Sequence, residues 1–158
     1  MKQKEMSYVL KVLAVVSALA CLALMLVVLP LLAQAYLGEP ETTLLYWPFL
    51  VISWAGLIPI IALAGIAWGV FTEIGRDNSF CEKNAARLRS MSYLSAGCIL
   101  VWLVGIVFIA VTGVSAIGIM LAFTVAMALM IIMATVCACL SHLTAKAALI
   151  KQENDLTV

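Results

Sequence analysis

The segment Cys137–His142 carries residue types that bind soft metal ions, two cysteines and a histidine. Thiolate sulfur and imidazole nitrogen suit ions such as Zn²⁺ and Cu⁺. On a helix Cys137 and Cys139 point about 200° apart, and only Cys139 and His142 share a face. The chain has a single histidine, so a complete site would require dimerisation or a cysteine from another segment. The pattern favours an interfacial histidine beside apolar cysteines, and we predict no metal site.

Cys81 is the second residue with distinctive chemistry, because it lies in the first turn of a predicted helix beside cationic side chains. Both features favour the thiolate, which is the form that reacts with oxidants. A redox sensor is therefore one hypothesis for Cys81. We favour the other, a chemically inert cysteine.

Three stretches contain no Asp, Glu, Lys or Arg: Val12–Gly38, Thr42–Thr72 and Ser90–Ala145. Proton relays, ion-coupled transporters and intramembrane hydrolases usually need ionisable groups inside the membrane. The remaining segments are too short to build a catalytic pocket, and none forms a phosphate-binding glycine loop. The sequence therefore predicts no enzyme activity, no catalytic residue and no cofactor.

The same three stretches predict the elements of the fold. The chain has 158 residues, of which 66% are hydrophobic and 11% charged, whereas about a quarter of a soluble domain is charged. A helix needs about 20 apolar residues to cross a bilayer, so the first two stretches form one span each. The third is long enough for two spans, separated by turn residues around Gly113. We predict an all-α integral membrane four-helix bundle, a single domain over residues 1–158, with helices at about 8–33, 46–75, 80–112 and 117–148.

The positions of the basic residues predict the orientation. All nine lysines and arginines lie before the first span, between the second and third, or after the fourth. Basic residues accumulate on the cytoplasmic side of membrane proteins. Both termini and the segment Gly75–Met91, which we call the elbow, are therefore predicted to be cytoplasmic.

Small residues and a proline predict how the spans pack. Pro30 frees a backbone carbonyl, which interfacial water is expected to reach. Ala14 and Ala18 offer a small-residue face on the first span. Gly65 and Gly69 form a GxxxG pattern, which lets another helix approach closely. That helix belongs to the same bundle or to a second copy in a homo-oligomer, and we favour the contact inside the bundle.

The elbow combines turn residues with a helix start. Asp77–Ser79 has the composition of a turn. Ser79 and Glu82, three residues apart, predict a capping box. The third helix is therefore expected to begin at Phe80, two to three turns before its apolar part.

Two surfaces on the predicted cytoplasmic side are candidate partner sites. In the elbow, Phe80, Asn84 and Arg87 lie on roughly one helix face, although Asn84 is also placed to bond the loop backbone. The tail Glu153–Val158 has acidic residues followed by aliphatic ones, and it would add as a strand or dock into a groove. The predicted partner-binding residues are Phe80, Asn84, Arg87, Asp155, Leu156 and Val158.

Phe80, Asn84, Leu88 and Arg89 have the spacing F-x-x-x-N-x-x-x-L-R. Together with the tail Glu153–Val158, this pattern resembles a bacterial membrane family catalogued as domain of unknown function 2975. The resemblance covers the whole chain and implies four spans, a cytoplasmic elbow and a location in the bacterial cell membrane. Members are often encoded beside a small helix-turn-helix regulator, so the resemblance also implies a regulatory pairing. It implies no known chemistry.

Two functional hypotheses follow. The first is a membrane anchor that holds a cytoplasmic helix-turn-helix regulator through the elbow and the tail, without binding nucleic acid itself. The alternative is a small export, permeation or immunity protein whose bundle acts on a peptide or an apolar compound. The lipid bilayer is a partner under both hypotheses.

Overall fold

The computed structural model describes residues 3–37, 42–113 and 117–156. Regular structure within these ranges is helical. The α-helices are α1 (Gln3–Ala23), α2 (Leu29–Leu37), α3 (Tyr46–Gly75), α4 (Glu82–Thr112) and α5 (Ile117–Leu156). A π-helical segment, Leu24–Val28, joins α1 to α2, and a 3₁₀ turn, Thr43–Leu45, leads into α3.

Four segments are long and apolar enough to cross a membrane: Gln3–Leu37, Thr43–Gly75, Glu82–Thr112 and Ile117–Asn154. The predicted all-α membrane bundle of four spans is therefore confirmed. The first helix begins at Gln3 rather than near residue 8, and the last continues to Leu156 rather than 148. Both differences have one cause: apolar composition marks the part of a helix inside the hydrocarbon, whereas backbone hydrogen bonding continues into the polar flanks.

The spans pack in the order in which they occur in the chain. α1 packs along α3, α3 along α4, and α4 along α5, and the contacts within each pair run in opposite directions along the two helices, so each pair is antiparallel. Two serine hydroxyls set the register of α4 against α5: Ser92 Oγ donates to the Ala134 carbonyl (2.9 Å), and Ser141 Oγ donates to the Ala85 carbonyl (2.8 Å). Because the bonds lie seven residues apart on each helix, α4 and α5 keep one register over this distance.

α1 contributes a single narrow stripe to the bundle. Ala14 and Ala18 on this stripe are half-buried, and Cys21 is buried with its thiol 3.7 Å from the Leu57 carbonyl. Only 6% of the most apolar window of the first span is buried inside the protein, compared with 28% for the second and third spans. α1 is therefore a peripheral helix whose remaining surface is available to lipid.

The π-helical segment explains where the carbonyl freed by Pro30 finds its donor. The Leu29 amide bonds the Leu24 carbonyl, five residues back, and the next bond in that register would join residue 30 to Met25. Proline has no amide hydrogen, so the Met25 carbonyl accepts from Trp54 Nε1 of α3 at 3.0 Å. The structure thus supplies an interhelical bond where we had expected water.

An aromatic cluster joins α3, α4 and α5. Phe123 of α5 stacks on Phe49 of α3, with ring centroids 6.0 Å apart, and contacts Trp102 of α4 at 5.0 Å. A Cβ atom added at Gly56 would lie 2.7 Å from the Trp102 ring, and one added at Gly105 would lie 2.8 Å from Phe123. These two glycines therefore create the space that the large rings occupy.

Candidate docking cleft at the elbow

The α3 helix ends in a Schellman motif. The Asn78 amide bonds the Glu73 carbonyl (3.0 Å), and the Asp77 amide bonds the Ile74 carbonyl (3.2 Å). Asp77 occupies the left-handed position with φ 58°, which glycine usually fills. The motif turns the chain sharply away from α3, and the predicted turn at Asp77–Ser79 lies at its end.

The capping-box hypothesis for the start of α4 is wrong. The helix begins at Glu82, its N-cap is Cys81 in an extended conformation, and no side chain caps it. Asn84 Nδ2 donates instead to the Ser79 carbonyl at 3.1 Å. This bond holds Ser79 outside the helix, so that its hydroxyl cannot cap the first turn, and the predicted start at Phe80 is two residues too early.

Asn84 is buried in the elbow, and Arg87 is half-buried beside it. Asn84 is only 1% exposed. The Arg87 guanidinium donates to the Gly69 carbonyl (2.9 Å) and to Asn84 Oδ1 (3.4 Å), and it lies 4.0 Å from the Glu73 carboxylate. Both side chains therefore have partners within the protein. Their proposed binding to another protein stays a prediction, but neither side chain is freely presented.

The two glycines of the GxxxG pattern have different surroundings. A Cβ atom on Gly69 would lie 2.9 Å from Arg87 Nε, so the absence of a side chain makes room for the guanidinium. A Cβ atom on Gly65 would meet nothing within 4 Å. Gly69 thus serves a contact inside the bundle, whereas Gly65 faces an open groove between α1 and α3. Self-association through both glycines would require Arg87 to move, and the oligomer itself stays a prediction.

Phe80 lies at the rim of a cleft of about 350 Å³ at the elbow end of the bundle. Its side chain is 59% exposed, although the residue lies among charged neighbours. The cleft is formed by the end of α3, the elbow and the last turns of α5, and its lining residues are Glu73, Asn78, Phe80, Cys81, Glu82, Lys83, Ala148, Lys151 and Gln152. One concave surface therefore combines an aromatic side chain with charges of both signs.

The α5 helix provides the far wall of the cleft because it continues beyond its apolar part. Ser141, Thr144 and Ala148 are buried on the side that faces α4 and the elbow. The backbone remains helical to Leu156, so strand addition by the tail would require this end of α5 to unwind, and the binding mode of the tail stays a prediction. Asp155 and Leu156 lie in this helix, but their side chains and the whole of Val158 are outside the described residues.

The residues singled out for metal or redox chemistry do not come together. Cys139 and His142 are exposed on α5, and Cys81 is half-exposed in the cleft. Within residues 3–37, 42–113 and 117–156, no three His, Cys, Asp or Glu side chains are grouped so that they could hold a metal ion.

Sequence reasoning missed Glu73. Its side chain is only 14% exposed and lies 3.6 Å from Arg76 and 4.0 Å from Arg87, while its carbonyl accepts the turn bonds of the elbow. The available signal was its position, since Glu73 is the first charged residue after the long apolar stretch of the second span. A carboxylate there lies close to the basic residues of the elbow that follows, and it pairs with Arg76 and Arg87.

The long apolar helices and the polar elbow define a multi-span, all-helical integral membrane protein. Residues 31–158 match the family described as protein of unknown function (DUF2975), and the chain belongs to this family. The match begins within α2, so α1 and the π-helical segment precede it. Comparisons with curated proteins and with solved structures gave no match.

Proposed function

We propose that the protein is a bacterial cell-membrane anchor that holds a cytoplasmic helix-turn-helix regulator in the cleft at the elbow. The proposal is supported by the cleft itself, in which an exposed aromatic residue of the elbow shares one concave surface with the end of α5. The Phe80 side chain is 59% exposed at the rim of this concave surface, and aromatic side chains are enriched among the anchor residues of protein interfaces. Burying the exposed part of its ring would favour association with a partner.

The proposed orientation is based on charge. Every basic residue in the described part of the chain lies at the elbow end of the antiparallel spans or on the helix termini beside it. The positive-inside rule favours the cytoplasm for this end, and a regulator would meet the cleft there. The opposite end carries no basic residue.

The chemistry of the cleft favours a short amphipathic segment as the docking element. Phe80 offers an apolar contact, Lys83 and Lys151 offer positive charge, and Glu82 offers an acid on the same rim. Such a surface fits a helix with one aliphatic anchor and flanking charges of both signs. A volume of about 350 Å³ is enough for one or two side chains rather than for a folded domain.

The test is co-purification of the neighbouring helix-turn-helix regulator from detergent extracts. Phe80→Ala is expected to weaken capture about 10-fold, because it removes an apolar side chain contributing about 1–2 kcal/mol. Ile150→Ala is the matched control: Ile150 is 67% exposed near the same end and does not line the cleft.

Equal capture by the wild type and Phe80→Ala, or no capture by the wild type at similar expression, contradicts the anchor proposal. That result would favour the alternative function, a small export, permeation or immunity protein whose bundle acts on a peptide or an apolar compound. Loss of capture in both variants indicates damage to the fold rather than to the cleft.

A further inference from the structure

A second surface with distinctive chemistry lies between α1 and α3, on the far side of the elbow from the docking cleft. Here the helices leave a pocket of about 310 Å³. The described residues that line it include the three cationic residues Lys4, Lys11 and Arg76, and none of them carries a carboxylate. The pocket therefore concentrates positive charge at one end of the apolar spans.

The charges in this pocket are only partly neutralised by the protein. Arg76 lies 3.6 Å from Glu73, but its side chain is 69% exposed. Lys11 Nζ lies 5.3 Å from the centre of the Trp68 ring, which orients the ammonium group without cancelling its charge. Neither Lys4 nor Lys11 forms an ion pair with another residue in the described part of the chain.

Beside the pocket, an apolar groove follows the same two helices. Tyr8 and Lys11 also line a second cavity of about 340 Å³, whose remaining walls are valines and Trp68. Trp68 in turn lines a third cavity of about 410 Å³, which reaches Ile61 and Gly65. The three cavities are therefore neighbours along α1 and α3, because each shares lining residues with the next, and they run from a polar end at Lys4 to an apolar end at Gly65.

The dimensions of the groove match one leaflet of a bilayer. The helix rise from Thr72 in the polar pocket to Ile61 in the deepest cavity is about 16 Å at about 1.5 Å per residue. Half of a hydrocarbon core of about 30 Å is about 15 Å. Gly65 keeps the deep end open, because it contributes no side chain there.

We propose that this groove binds one anionic glycerophospholipid, with the phosphate between Lys4, Lys11 and Arg76 and one acyl chain along α1 and α3 to Gly65. The bound lipid belongs to the leaflet that faces the elbow end. Its acyl chain covers apolar surface that the narrow stripe of α1 leaves exposed. Ser7 maintains the polar end of the groove, since its hydroxyl donates to the Phe71 carbonyl and ties α1 to α3.

The test is native mass spectrometry of protein released from nanodiscs containing equal amounts of phosphatidylglycerol and phosphatidylcholine. The wild type should retain one phosphatidylglycerol with strong preference. Replacing Lys4 and Lys11 together by glutamine should reduce that retention about 10-fold or more, because each basic residue near a lipid phosphate contributes about 1 kcal/mol. Arg89→Gln with Lys146→Gln removes the same charge from exposed positions outside the groove and should leave retention unchanged.

A third variant tests the acyl-chain part of the proposal. Gly65→Leu should lower lipid retention without changing the cationic pocket, whereas Gly97→Leu, at an equally open position on α4, should not. Excess glycerol phosphate should fail to displace the bound lipid if the acyl chain contributes to binding. Helical circular dichroism checks that each variant is folded.

Equal retention of both lipids, or unchanged retention in the lysine variant, overturns the proposal. Displacement by glycerol phosphate shows a simple anion site and overturns the lipid assignment. If the wild type forms a dimer without bound lipid, and Gly65→Leu abolishes that dimer, the groove binds a second copy of the chain and the lipid assignment is overturned.

Discussion

Gly56→Ala is predicted to destabilise the bundle because the added methyl group has no room. Its Cβ atom would lie 2.7 Å from one atom of the Trp102 ring and 2.9 Å from two others. Trp102 is only 4% exposed and is held against Phe123, so the ring cannot swing away as a long flexible side chain would. Either α3 and α4 must separate locally or the aromatic cluster must rearrange.

The size of the effect follows from two opposing contributions. Overpacking a well-filled core costs about 1–3 kcal/mol. Replacing glycine by alanine inside a helix gains up to about 1 kcal/mol from helix propensity. Gly97→Ala on α4 is the matched control, because its Cβ atom would meet nothing within 4 Å. The difference in unfolding free energy between the two alanine variants cancels the propensity and should be about 1–3 kcal/mol.

The measurement is unfolding in mixed micelles of increasing SDS content, followed by circular dichroism. Trp102→Phe provides a second check, since it makes space beside residue 56. It also loses no hydrogen bond, because the buried Trp102 Nε1 has no partner among the described residues. The double variant of Gly56→Ala and Trp102→Phe should be more stable, by at least about 1 kcal/mol of unfolding free energy, than the sum of the two single effects predicts. Equal stability of Gly56→Ala and Gly97→Ala would refute the proposed close contact.

Three further predictions concern the elbow and the topology. Asp77→Gly should raise the unfolding free energy by up to about 1 kcal/mol in the same assay, because the left-handed conformation costs glycine least; a loss of stability would contradict this. Asn84→Ala should lower the unfolding free energy by about 1–3 kcal/mol, because it removes a buried hydrogen-bonding group. Ser79→Ala should change it by less than about 0.5 kcal/mol. A larger loss in Ser79→Ala than in Asn84→Ala would support the capping-box hypothesis instead. In a cysteine-free background, a single cysteine at Thr43 should react with impermeant maleimide added outside the cell. A single cysteine at Lys83 should react only after the cell is permeabilised. Reaction of both cysteines from the same side refutes the proposed topology.

The spans were predictable because their cause is local. A stretch without charge, such as Thr42–Thr72, must satisfy its backbone hydrogen bonds internally once it lies in lipid, and the helix α3 follows. The face of Ala14 and Ala18 was predictable for the same reason, since a small-residue stripe on one helix is visible in the sequence.

Features that depend on the register between helices were not predictable. In the sequence, Gly65 and Gly69 are equivalent members of one GxxxG pattern. Their surroundings differ in the structure because Arg87 of α4 lies level with Gly69. The start of α4 was missed because Asn84 reaches back to Ser79, a competing hydrogen bond that the capping pattern does not include. The cleft beside Phe80 exists only because α5 continues far enough to form its second wall.

The packing of each span on its neighbour in the chain has a consequence for how the protein assembles in the membrane. Contacts between α1 and α3, and then between α3 and α4, can form in the order of synthesis, so most helices need not wait for a distant partner. The aromatic cluster is the exception, because Phe123 belongs to the last span yet packs against both α3 and α4. Until α5 enters the membrane, Gly105 and Trp102 lack the ring that covers them. An incompletely synthesised chain therefore leaves this face of α3 and α4 open to lipid, and the arrival of α5 is the step that closes the bundle.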